Sequence, residues 1–544
     1  MIIYVPHLVN TNYCVLLGKD GSIHVWKVFN KEPESILTGA HSKGVCSLSF
    51  SNSGILLASV GIDDCHTIAI WNWREGSLIS KVDGSQYRIF QVLCITTPKS
   101  KQSNQIDNLS LITCGISHIK YWCVTGSNMV SERLSLGIDT PCETMLSILE
   151  CGDQKIIVGS LSGTMYIFQD LLISNTIKLH NGPIWALASH PDGILSGSRG
   201  SSDIDVVLKL SSLEGVKIQE IISRNIASDI RAIDSINNMI IVGTNDSMII
   251  QIKDDIKTIL NQGHGYGELW GLAIHPSKMI AITASHDSCI KSWDLCTKRI
   301  ISTLKNLSGP AQSIDINPNA DLIAAGFCNG QFTLFELKEN GTLEMESAIK
   351  KKRDYSSTIN IIKFSPDGTK LAVACSKNFV DIYKLPHLIK HATCKGFKGI
   401  TSNLDWSHDS NFIQINTLQY QRLIYQISDA NLILDNEVIG KIIWSTLTCV
   451  SGPDLLGIWS EDSESGDVNN SHLSNRGHIL ATGDDYGLVK LFNFPVNKKN
   501  ATYLQFHGHS AHVTNLRFTC NDDYLVTTGG DDSCVFLWKT IKDV

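Results

Sequence analysis

Long apolar runs are missing from this 544-residue sequence. Nowhere do about 18 consecutive apolar residues follow one another, the least a membrane-spanning helix needs, and the N-terminus lacks the basic-then-apolar pattern of a secretory signal. These absences predict a chain of the cytosol or nucleus. The 16 cysteines, scattered from Cys14 to Cys534, contain no C-x-x-C pair, and Cys46, Cys289, Cys375 and Cys534 fall in predicted strands. That usage excludes a disulfide framework and a zinc site, and fits small apolar residues in a reducing compartment. Positive charge is also short: 46 Lys and Arg against 53 Asp and Glu, a formal net charge of −7. Such a balance argues against an electrostatic hold on nucleic acid or on an anionic membrane. No linker rich in Pro, Gly or Ser interrupts the middle of the chain, so two domains, if present, are expected to be joined by a short and rigid connection.

What is there is repetition. Apolar runs of about five to seven residues, separated by Gly, Asn, Asp and Ser clusters, recur every 40 to 50 residues or so, the pattern of four-stranded antiparallel sheets that cannot bury both faces alone. Radial stacking buries those faces and leaves only short edges. The most complete unit runs from Gly263 to Asp294: Gly263-His264, the run LWGLAIHP from Leu269, ITAS from Ile282, a turn at His286-Asp287, and CIKSWD ending on Trp293-Asp294. It reads as one blade of a β-propeller of the WD-repeat type. Within it His264, Ser285, Asp287 and Trp293 are the candidate residues for a buried hydrogen-bonded chain that pins the blade's register. That is a structural role, because a catalytic Ser-His-Asp group needs an exposed nucleophile and an oxyanion pocket, and the sequence offers neither.

Taken in order, the strands IIYV, YCVLLG, SIHVW and ESILTG start a first blade almost at Met1. Blade-closing aromatics follow at Trp26, Trp71, Trp122 and Phe168, and two copies without the aromatic end near Leu208 and Ile252. From Gly263 closing residues fall at Trp293, Phe335, Tyr383, Tyr425, Phe492 and Trp538. The interval from Tyr425 to Phe492 is long, and its apolar runs IIWSTLTC from Ile442 and LLGIW from Leu455 predict an irregular blade near 438–460. Twelve or thirteen blades exceed the usual four to eight of one propeller. The expectation is therefore all-β, with two tandem propellers: residues 1–262 with about six blades, and residues 263–544 with six regular blades and one irregular one.

Several stretches occur together and in order: GELWGLAIHPS from Gly267, GPAQSIDINP from Gly309, TCVSGPDLLGIWSEDSESGDVNN from Thr448, TGDDYGLVKLFNFP from Thr482 and GHSAHVTNLRF from Gly508. In these the chain resembles the echinoderm microtubule-associated protein-like family. The resemblance implies two propellers fused side by side, and a non-enzymatic protein of the cytoplasm and cytoskeleton that binds tubulin or microtubules. It also implies a seventh blade in the first propeller, ahead of Met1, together with a hydrophobic motif, a coiled coil and a basic segment that family members carry there. The alternative reading is a general scaffold for other proteins that does not bind microtubules directly.

Remaining candidates are few. Lys350, Lys351, Lys352 and Arg353 form the one dense basic run, placed in a loop, and are the candidate contact to an acidic partner. Glu461, Asp462, Glu464 and Asp467 make an acidic loop without the ordered ligand spacing of a calcium site. GHGYGELWG lacks the G-x-G-x-x-G spacing and precedes a strand, not a helix, so it is no phosphate loop. The long polar insertion TPKSKQSNQIDN from Thr97 is a surface loop. No metal, cofactor or small-molecule substrate is expected.

Overall fold

The computed structural model describes all residues except 1, 4–12, 18–20, 28–32, 96–107, 136–142, 153–154, 200–205, 214–217, 224–228, 237, 246, 266, 306, 345–347, 354, 460–466, 500 and 542–544. The insertion from Thr97 and the acidic residues Glu461, Asp462 and Glu464 lie outside the described residues. Helix among the described residues is confined to Asn436–Ile439 and a 3-10 turn at Pro453–Ile458. Everything else with regular structure is strand.

The strands form antiparallel meanders in which spatial order equals chain order. Two compact units result, Met1–Asn261 and Gln262–Val544. The first contains six four-stranded sheets and the second contains five, followed by a three-stranded sheet of Val513–Phe518, Tyr524–Gly529 and Val535–Lys539. Second strands are largely buried; Leu56–Gly61 and Ile280–Ser285 are buried at every residue. The fourth strand is mostly exposed, as in Ser77–Val82 and Ile256–Asn261.

The core lies between successive sheets. One cluster joins Ile282 and Ile290 of one blade to Ile314, Ile323 and Phe335 of the next. Another joins Ala372 and Ile382 to Leu404, Trp406 and Tyr425. Each large apolar side chain so buried contributes about 1.5–3 kcal/mol, and none could be buried by its own sheet alone. In the second unit the ring closes on itself: Leu272, Ala281 and Trp293 of the first blade pack with Val526 of the last. Asn515 Nδ2 donates to Trp270 O (3.2 Å) and Ser533 Oγ to Gly267 O (2.7 Å) across the same seam.

A β-bulge recurs at the start of the innermost strand of every sheet from Val45 onward, so that the second residue of the strand has no ladder partner, as between Val45 and Ser47, Leu269 and Gly271, or Val513 and Asn515. Bulges turn a strand sharply and fix register. Here they give all these strands one numbering frame, in which the fifth residue can be compared from blade to blade.

The irregular blade expected near 438–460 is not a sheet. Residues 444–449 occupy the place of an innermost strand with no ladder behind them. Ser445 N donates to Trp406 O (2.9 Å) on one side, and Ser471 Oγ donates to Leu447 O (3.1 Å) on the other. Only the pair Ser407 and Trp444 makes a β-bridge. The run LLGIW turns instead into the 3-10 helix, which buries Leu455 and Ile458 against Val468, Leu480 and Phe492. Gly452 and Pro453 break the extended pattern that apolarity alone suggests. Cys289 and Cys534 also differ from expectation: both sit in the turn before a strand, and Cys534 is exposed.

Candidate functional site

The polar chain of the Gly263–Asp294 blade is present, with one change of member. Trp293 Nε1 donates to Thr283 Oγ1 (2.7 Å), His264 Nε2 meets the same hydroxyl (2.7 Å), and His264 Nδ1 meets Asp287 Oδ2 (2.9 Å). Thr283, not Ser285, is therefore the bridging hydroxyl. Ser285 Oγ donates to Glu268 O (3.1 Å) and accepts from Asp287 N (3.3 Å), one step to the side. The reason is ladder register, since Thr283 and Ser285 share a face but Thr283 lies one step nearer the Ala281–Trp293 pair. Thr283 and Trp293 lie on the same face of neighbouring strands, near the registered pairs Ala281 with Trp293 and Thr283 with Lys291.

Proton positions follow from the partners. Trp293 can only donate, so Thr283 gives its proton to His264 Nε2, and the neutral imidazole carries its proton on Nδ1 toward Asp287. Burial lowers the His264 pKa despite the opposing pull of Asp287. Burial also pushes Asp287 upward, but its bonds from His264, Gly265 N and Cys289 N outweigh that and hold the carboxyl below its usual range. A neutral histidine beside an ionised aspartate is the state this relay needs. His264, Thr283 and Trp293 are buried and Asp287 is half-buried, so the Thr283 hydroxyl is out of a substrate's reach.

The same device recurs. His41, Ser59 and Trp71 join at 2.7 and 2.8 Å, and His509, Thr527 and Trp538 at 2.8 and 2.9 Å, the latter with Asp532 3.0 Å from His509. In the Asn108–Gly115 blade the histidine comes from the start of the next strand, His118–Thr125: His118 and Trp122 both meet Thr113. Where Leu208 replaces the aromatic, His180 and Ser196 still bond at 2.8 Å. A motif that recurs in five blades among the described residues, with its histidine and hydroxyl buried each time, acts as a fastener of sheets.

A second polar hub escaped the sequence reading. The Asp405 carboxylate accepts from Lys363 Nζ (3.0 Å), from the hydroxyls of Thr446 and Thr448, and from the amides of Thr448 and Cys449 (2.9 Å each to Oδ2). Burial alone would raise its pKa, yet Lys363 and these donors hold it far below the usual carboxylate range. This hub fastens residues 444–449 into the ring in place of the missing ladder.

The basic run is not a loop. Lys350, Lys351, Lys352 and Arg353 belong to the outermost strand Ala348–Arg353, opposite Leu334, Thr333, Phe332 and Gln331. An edge strand is where consecutive lysines discourage pairing with another chain while still forming a ladder inward. Charge density alone therefore misplaced the run. Among the described residues no group of three or more His, Cys, Asp or Glu is placed to hold a metal ion, and no helix is long and apolar enough to cross a membrane.

Comparison with known proteins agrees with this architecture. Residues 13–252 match the family model described as the echinoderm microtubule-associated protein first β-propeller, and residues 269–540 match its second β-propeller. The 77 kDa echinoderm microtubule-associated protein of Strongylocentrotus purpuratus is 29% identical over 534 residues, covering 95% of this chain and 74% of that protein. Echinoderm microtubule-associated protein-like 2 of Rattus norvegicus is 29% identical over 532 residues, covering 95% of this chain and 78% of that protein. Echinoderm microtubule-associated protein-like 1 of Homo sapiens is 28% identical over 515 residues, or 92% of this chain and 61% of that one. With both propeller models matched in order along one all-β chain, this protein belongs to the echinoderm microtubule-associated protein-like family.

Proposed function

We propose that this chain is a non-enzymatic tubulin- or microtubule-binding module of the cytoplasmic cytoskeleton. The observation that carries the reading is the alignment of both propellers, over 95% of the chain, with proteins named as microtubule-associated. The polar clusters support it by exclusion of roles: those built from His, Ser, Thr and Asp fasten blades. Co-pelleting with microtubules and gel filtration with free tubulin test it together. Saturable binding in either assay supports the reading, and absence of binding in both at low and physiological salt overturns it.

A second reading, a scaffold for other proteins, is favoured by the last blade. Its third strand, Val535–Lys539, is an edge among the described residues, and the neighbouring strand Tyr503–His507 exposes Tyr503, Leu504 and Phe506 beside it. The Phe506 and Trp538 rings lie 6.1 Å apart. An open edge flanked by exposed apolar side chains accepts an added strand from a partner. Pairing there would persist in Leu504→Asp only if the edge were not the contact.

A further inference from the structure

The fifth residue of each innermost strand in the second unit is Ala273, Asp315, Lys363, Asp405, His472 and Arg517, in blade order. Five of six are ionisable, in strands that are otherwise mostly apolar. All but the fully buried Asp405 line one cavity of about 620 Å³ within the ring, a volume in the range of small-molecule sites. Their charges are unequally satisfied. Lys363 and Asp405 neutralise each other at 3.0 Å, and burial together with Arg517 and Lys363 keeps His472 uncharged.

Arg517 and Asp315 have no such partner. Arg517 Nη1 donates to Asn470 Oδ1 (3.2 Å) and Leu516 O (2.7 Å), while Nε and Nη2 make no hydrogen bond among the described residues. Asp315 accepts from backbone amides, Phe364 N at 2.7 Å and Ile316 N; Lys363 and Arg517 act on it only from a distance, and no cation forms an ion pair with it among the described residues. Burial pushes the Asp315 carboxyl up to about 6 and lowers Arg517 to about 10. Both are half-buried, retaining exposure to the cavity. They stand in the blades on either side of the strand Leu269–Ile274, whose residue in this position is Ala273. The one small side chain of the ring thus separates an unpaired cation from an unpaired anion.

We propose that this cavity binds a small zwitterion, a molecule with a carboxylate and an ammonium group, the carboxylate on Arg517 and the ammonium on Asp315, over Ala273. A simple anion would gain Arg517 but meet Asp315, and a simple cation would gain Asp315 but meet Arg517 and Lys363. Only a ligand carrying both charges removes both unpaired groups without adding net charge to an enclosed space. Planar, two-donor recognition of carboxylate is also what an arginine with Nε and Nη2 free supplies.

The test is a titration of the full chain with glycine, β-alanine and γ-aminobutyrate, in which charge separation grows, beside acetate, methylamine and inorganic phosphate, read by calorimetry and thermal shift. The expected result is saturable binding of at least one zwitterion at about 10 mM or below, at least tenfold tighter than any single-charge probe. Arg517→Met is expected to abolish it. Because that variant also removes the bonds to Asn470 Oδ1 and Leu516 O, Asp315→Asn is the second arm: it keeps an isosteric side chain and is expected to shift preference at least tenfold from the zwitterion toward acetate. No zwitterion binding in this range, binding unchanged in folded Arg517→Met, or an unchanged zwitterion preference in Asp315→Asn each overturns the proposal.

Discussion

The two propellers of this chain share a ladder, a bulge and a fastener, yet differ at one repeated position. In the first unit the fifth residues of the innermost strands from Val45 onward are Ser49, Leu93, Leu149, Ala188 and Asp234; in the second they are Ala273, Asp315, Lys363, Asp405, His472 and Arg517. Leu93, Leu149 and Ala188 are buried, and Ser49 Oγ accepts from Cys94 N (2.9 Å) to tie two blades. The lesson is that sheet-on-sheet packing fixes the residues facing neighbouring blades but leaves the fifth position free. One propeller uses it for cohesion, and the other gathers charge there.

The largest expected effect comes from breaking the charged ring at its hub. Asp405→Ala leaves the half-buried Lys363 without its ion-pair partner and strips six donors, Lys363 among them, of their acceptor, which costs about 3–5 kcal/mol. Ser49→Ala at the matching position of the first unit removes one hydrogen bond and costs about 1–2 kcal/mol. Hydrogen exchange resolved by unit checks both. Equal losses, or an Asp405 variant as protected as the parent, would erase the distinction between the propellers.

Next in size is the fastener, where the two units are expected to behave alike. Thr283→Val keeps the shape of the side chain but leaves His264 and Trp293 without their shared hydroxyl, for about 2–3 kcal/mol, and Ser59→Ala should act similarly on His41 and Trp71. Ser285→Ala, outside the relay, should cost about 1 kcal/mol. Denaturant midpoints rank the three. A Ser285 variant as damaged as the Thr283 one would restore the assignment drawn from sequence.

Those outcomes bear on what the sequence made legible. Strand order and the hydrogen bonding of His264, Asp287 and Trp293 follow from period, turn residues and the pairing of His with Trp, all local signals. Thr283 was missed because two hydroxyls two residues apart, Thr283 and Ser285, point to the same face, and only the ladder register selects one. Residues 444–449 were misread as a sheet because apolarity signals burial and not pairing; their partner is the Asp405 carboxylate, some 40 residues earlier in the chain. The charged ring was written in the sequence all along, as a single ionisable residue inside SIDINP, IIKFSP, NLDWS, NSHLS and NLRFT. Aligning the runs on their bulges is what exposes it.

Acidification should sharpen the comparison less, since both units hold buried neutral histidines. Burial lowers His41, His264 and His472, and brings His118 down to about 4. The unfolded chain binds these protons near the ordinary value of about 6.5, so stability is full above that pH and falls as pH drops through the folded values. Below about pH 4 the depressed carboxyl of Asp287 adds a further loss in the second unit. Melting temperature is expected to decline steadily from pH 7 to 5 in both units. A flat profile would mean that these imidazoles take up protons alike in the folded and the unfolded chain.

The smallest effect on stability, and the one that separates fold from function, concerns the basic edge strand. Replacing Lys350, Lys351, Lys352 and Arg353 together by Gln keeps the backbone ladder to Gln331–Glu336, because those bonds belong to the main chain. Global stability should stay within about 0.5 kcal/mol of the parent for such an edge position. Four positive charges nonetheless vanish from a protein whose net charge is already −7, so attraction to an acidic partner surface weakens wherever this strand touches it. Microtubule co-pelleting at low salt should fall, and the difference between parent and variant should shrink as added salt shortens the Debye length from about 30 Å at 0.01 M to about 8 Å at 0.15 M. Identical pelleting across that range would remove these four residues from the contact surface while leaving their place in the blade intact.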